Sequence, residues 1–83
     1  MTTRFLDRFV SREHRFTLGV DRQTGQYYLS TPVSGMNRAA EWEAYFVIGE
    51  DQFRLFQASP GAAEGFLEDC RMGRNDARLI HPK

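Results

Sequence analysis

The residues that could do chemistry are few. The histidines are His14 and His81, near opposite ends of an 83-residue chain. A histidine works as a base only when a nucleophile and an orienting group stand within hydrogen-bond reach. Neither has one nearby in sequence, and no nucleophile elbow, glycine-rich phosphate loop or H-E-x-x-H pattern occurs. Both read as surface histidines. Cys70 is the single cysteine. Arg71 beside it could activate the thiol, but Cys70 continues an apolar stripe through Phe66 and Leu67 and reads as a core thiol. One thiol closes no internal disulfide, so a reducing, cytoplasmic compartment is expected. Glu41 with Glu43, and Glu64 with Glu68, are paired carboxylates without further ligands at useful spacing. Solvated acidic faces are the simpler reading. No metal, cofactor or catalytic residue is expected, and a small hydrolase or metal-dependent enzyme built on His14 ranks third among the functions considered.

Aromatic and arginine residues carry more. Seven Phe, three Tyr and one Trp are a rich supply for this length. Tyr28 and Tyr45 fall on the strand positions opposite the core residues. Arg4, Arg8, Arg12 and Arg15 form a basic stripe near the N-terminus. Tyr and Arg are enriched in the residues that dominate protein interfaces. A sheet face bearing Tyr28 and Tyr45, flanked by these four arginines, is therefore the expected interaction surface. The second reading of the same residues is stacking of single-stranded RNA or DNA. Charge disfavours it, because Glu41, Glu43, Glu50 and Asp51 surround one of these strands and would repel phosphates.

The whole-chain charge agrees. Eleven basic residues balance eleven acidic ones. Residues 1–38 carry six Arg against Asp7, Glu13 and Asp21, a net of +3; the remainder carries a net of −3. Such a dipolar chain can pair with a copy of itself as a homodimer. Ten of the basic residues are Arg, a bias that codon composition alone can produce. Mean hydropathy is −0.54, and no apolar run approaches a membrane span. Asp7 and Arg8 interrupt the N-terminal apolar residues, so no secretory signal is expected there.

The elements that must position these residues follow from periodicity. Phe5, Leu6, Phe9 and Val10 make one stripe at helical spacing, so a short helix is expected over 3–12. Phe16, Leu18 and Val20 alternate, as do Tyr27, Leu29, Thr31 and Val33, with turn residues Asp21 to Gly25 between them. These runs predict a β-hairpin, with Pro32 at an edge or exit. Ser34 to Arg38 predict a loop. Residues 41–48 fit either strand or helix; Tyr45-Phe46-Val47-Ile48 favours strand. Asp51 is a candidate cap for a helix carrying Phe53 and Phe56, and Ser59-Pro60 starts a second. Gly61 and Gly65 would let that helix approach the sheet. Gly73 suits its terminator. Leu79 and Ile80 end the pattern as a short edge strand or packed tail.

The block Phe16-Thr17-Leu18-Gly19-Val20-Asp21, then Thr24-Gly25-Gln26-Tyr27-Tyr28-Leu29-Ser30-Thr31-Pro32-Val33-Ser34, resembles one in short bacterial proteins of unknown function. Tyr45 and the Cys70-Arg71 pair continue the likeness. The resemblance implies a fold and carries no activity. The expectation is a single α+β domain over 1–83, with a small antiparallel three- or four-stranded sheet and helices on one face. Its expected function is a non-enzymatic protein-interaction module.

Overall fold

The computed structural model describes residues 4–34 and 41–80. The order is β1 (Phe5–Ser11), β2 (Phe16–Asp21), β3 (Tyr27–Ser34), β4 (Glu41–Ile48), α1 (Glu50–Ala58), α2 (Glu64–Arg71) and β5 (Leu79–Ile80). Short 3-10 turns at Pro60–Ala63 and Asp76–Arg78 precede α2 and β5. The architecture is α+β, with one antiparallel sheet of five strands in the order β1-β2-β3-β4-β5. The expected three or four strands undercount it, because the N-terminal segment is a strand and not a helix.

The reason lies in one irregularity. Leu6 pairs with Val20 and Asp7 with Gly19, but Phe9 pairs with Leu18, so Arg8 is the extra residue of a β-bulge. A bulge adds one residue to a strand and resets its alternation. Leu6 and Phe9 therefore share a sheet face although three apart, which imitates helical spacing. Ten residues are also marginal as an isolated helix, whereas β2 offers a full ladder of backbone partners.

The expected hairpin forms between β2 and β3, with Leu18 opposite Leu29 and Gly19 opposite Tyr28. Gly25 turns it at φ 76°, and its N–H donates to the Asp21 carbonyl at 2.7 Å. Pro32 lies beyond the last β2–β3 pair, Thr17 with Ser30, while still opposite Glu43 of β4. Its missing N–H thus costs the β2–β3 ladder nothing. Residues 41–48 are a strand, and β5 pairs Leu79 with Phe46 and Ile80 with Tyr45. The loop expected over Ser34 to Arg38 lies, from residue 35 on, outside the described residues, as does His81.

Both helices cover one face. Phe16, Leu18, Leu29 and Ile48 of the sheet meet Phe56, Ala63 and Leu67 in one buried cluster. Cys70 joins Val33, Ala44 and Phe46 in a second. α1 starts two residues earlier than expected: Gly49, not Asp51, is its cap, and the Gly49 N–H donates to Gln52 Oε1 at 3.0 Å. α2 ends as expected at Gly73, φ 79°, with Arg74 N–H on the Asp69 carbonyl and Gly73 N–H on that of Cys70. Gly61 and Gly65 do not serve close approach, since a Cβ on either meets open space; Ala63 makes the contact.

Candidate interaction surface

The other sheet face starts from Gly19. Tyr28 stands opposite it, and the Tyr28 ring lies down over it. A Cβ at Gly19 would come well inside 3.0 Å of the Leu6 carbonyl oxygen and of the Tyr28 ring and hydroxyl. On a flat sheet β1 and β4 stand three strand spacings, about 14 Å, apart. Phe5 and Tyr45 nevertheless stack, with ring centres 4.1 Å apart and planes 15° apart. Both side chains lie across the gap, and Tyr28 meets each of them edge-on at 5.3 Å. The Tyr28 hydroxyl donates to Asp7. Tyr28 is 0% exposed. Its pKa is pushed upward, first by burial and then by the Asp7 hydrogen bond and charge; burial also raises Tyr45.

This corrects the expected surface. Tyr28 and Tyr45 do occupy the face away from the helices, but they form a second small core under Phe5. Tyr28 offers no ring face to a partner or a base. The sequence pattern does not show this lid, because the spacing of Phe5, Leu6, Phe9 and Val10 is that of a helix.

The four arginines do not form a helical stripe: Arg4 precedes β1, Arg8 lies in it, and Arg12 and Arg15 follow it. Arg4 is committed to the fold: its guanidinium forks onto buried Asp21, at 3.0 and 2.9 Å. That contact, with the Gln23 N–H, holds the Asp21 carboxyl below its ordinary range against the opposing effect of burial. Arg8 projects to the helix side, where it lines a groove with Val20, Tyr27, Phe53 and Gln57. Arg12 and Arg15 sit in the β1–β2 turn and line a second cleft, of about 290 Å³, with Val10, Thr17, Pro32 and Glu43. The cleft lies beside Pro32, beyond the last β2–β3 pair. Arg15 holds φ 59°, a left-handed conformation that costs a residue with a Cβ about 1 kcal/mol. Its carbonyl accepts a hydrogen bond from Thr31 Oγ1 at 2.9 Å.

The comparisons are silent. No family model, curated protein or solved structure matches this chain.

Among the described residues, the remaining candidates meet in one place. His14 Nδ1 lies 2.5 Å from Glu64 Oε1, which ties the β1–β2 turn to the start of α2. Glu64 is exposed, and no described nucleophile joins the pair. Cys70 is buried, and burial raises its thiol pKa; Asn75 donates to its sulfur at 3.4 Å. Among the described residues, no three His, Cys, Asp or Glu side chains gather to hold a metal ion. No described helix is long and apolar enough to cross a membrane.

What the sequence pattern did not show is the edge. β1 pairs with β2 alone among the described strands. Its Leu6 and Val10 are 40% and 58% exposed, and Trp42 at the start of β4 is 51% exposed. Exposed apolar residues on a strand signal an edge only once the strand itself is recognised.

Proposed function

We propose that the protein is a non-enzymatic interaction module that takes up an extended, acidic segment of a protein partner along β1. The observation that carries this reading is the open β1 edge with exposed Leu6 and Val10. An unpaired edge offers backbone N–H and C=O groups to an added strand, and pockets for alternate side chains supply selectivity. Two such depressions flank β1: the Val10–Arg12–Arg15 cleft on one face and the Arg8 groove on the other. A strand laid on β1 would project successive side chains towards each in turn. Their cations, Arg8, Arg12 and Arg15, favour acidic residues. β1 pairing with another β1 would bring Arg8 and Arg12 near their copies, so an acidic partner suits the edge better than a homodimer through it. The interaction surface is thus Arg8, Arg12 and Arg15, while Arg4, Tyr28 and Tyr45 support it from within. The single cysteine keeps the cytoplasm as the proposed compartment.

The test is a titration with an alternating Glu-Val peptide, read by amide spectra and hydrogen exchange. Binding should slow exchange of β1 amides and weaken with salt. A Lys-Val peptide bound equally well would refute the preference for an acidic segment, and β1 amides that gain no protection would refute strand addition. Single-stranded DNA that shifts the Arg12 and Arg15 amides more strongly than the acidic peptide would favour the nucleic-acid reading instead.

A further inference from the structure

The groove on the helix side of β1 has its own chemistry. Its volume is about 430 Å³, within the span of small-molecule sites. Four elements build it: Arg8 from β1, Val20 from β2, Tyr27 from β3, and Phe53 with Gln57 from α1. Phe53 and Gln57 are one helical turn apart, so both reach the same side of α1. Tyr27 and Phe53 pack with ring centres 4.4 Å apart. Each is only partly buried, which leaves a strip of both rings facing the groove. Arg8 is the one charged residue of the lining, and no described carboxylate pairs with it. It is also the extra residue of the β1 bulge, and bulges commonly re-aim a side chain beside a site.

We infer that this groove binds a small aryl carboxylate. The ring of such a ligand lies against Tyr27, Phe53 and Val20. Its carboxylate meets the Arg8 guanidinium, whose forked donors fit two oxygens. Gln57 supplies a neutral donor or acceptor at the rim. The class follows from what the lining combines: an aromatic wall, one cation and no described anion. A cationic ligand would face Arg8, and an aliphatic one would leave the paired ring edges without a partner of matching shape. Backbone pairing at β1 plays no part, so the inference is separate from strand addition.

The experiment is an amide-spectrum titration of the full chain with hydrocinnamate, and in parallel with its neutral amide, hydrocinnamide. Hydrocinnamate should give saturating shifts centred on Arg8, Val20, Tyr27 and Gln57, without new exchange protection in β1. Hydrocinnamide should bind at least about tenfold more weakly, the loss expected when a charge-assisted contact becomes neutral. Arg8→Gln should bring hydrocinnamate down to the affinity of the amide, and Arg8→Lys should recover part of it. Equal affinity for acid and amide overturns the inference, as does the absence of saturating shifts or their centring on Arg12 and Arg15. Should Arg8→Gln lose its dispersed spectrum, the comparison of acid with amide on the unaltered protein decides alone.

Discussion

Gly19→Ala puts the second core to the test. In an ordinary strand, replacing Gly by Ala gains about 0.5–1 kcal/mol, because glycine loses more backbone freedom on folding. Here the added methyl meets three atoms inside 3.0 Å, and one of them is the Leu6 carbonyl oxygen. The Tyr28 ring can tilt away; a backbone carbonyl held in the β1–β2 ladder cannot without moving the strand. Overpacking of this kind costs about 1–3 kcal/mol. The clash also lifts Tyr28 from beneath Phe5, so part of the stacked cluster is lost with it. The net expectation is a destabilisation of about 1–3 kcal/mol. For a chain of this length that lowers Tm by roughly 5–20 °C. Thermal and urea unfolding measure the loss, and near-ultraviolet circular dichroism should report loosened tyrosines. A cycle with Tyr28→Val separates the two contacts. Once the ring is gone, Ala at 19 should cost less, with a coupling of about 0.5–3 kcal/mol. What remains belongs to the Leu6 carbonyl. A Gly19→Ala protein as stable as the parent, with an unchanged near-ultraviolet spectrum, would refute the account of this face.

Two further outcomes follow from the same geometry. Burial holds Tyr28 and Tyr45 above the ordinary tyrosine range, so the unfolded chain loses these protons first. Their contribution to stability is therefore complete below about pH 10 and falls as the pH rises beyond it. Urea unfolding between neutral and strongly alkaline pH should show the decline, and Tyr28→Phe should make it shallower; a parent and variant with the same alkaline slope would contradict the buried hydroxyl. Cys70 should resist a disulfide reagent in the native protein and react at once in denaturant, since the thiol is buried and its ionisation opposed. Native and denatured rates that agree would place it on the surface.

How much of this was legible in the chain depends on the element. The β2–β3 hairpin was legible because two independent signals agree: alternation on both sides and Asp21 to Gly25 between them. The second helix was legible because Ser59-Pro60 and Gly73 are local signals, although Pro60 opens the 3-10 turn that leads into α2, and the first was legible in its Phe53 and Phe56 but not in its cap. β1 was not. Its bulge at Arg8 places Leu6 and Phe9 on one face at a spacing that belongs to a helix, so periodicity pointed to the wrong element. That one error propagated. With Phe5 on a helix nothing covers Tyr28 and Tyr45, and a buried and a half-buried tyrosine read as an exposed platform. Alternation assigns a residue to a face of a sheet, but it cannot say whether that face is covered. Here the covering group comes from three strands away and depends on a glycine that lacks the atom to block it. The same strand explains why the arginines still matter. Arg8 lies on the edge strand and Arg12 and Arg15 in the turn that follows it, while Arg4 is drawn into the fold by Asp21. Of the basic character of the first 38 residues the edge strand itself displays Arg8, with Arg12 and Arg15 in the turn that follows, and the proposed uptake of an acidic extended segment rests on those three.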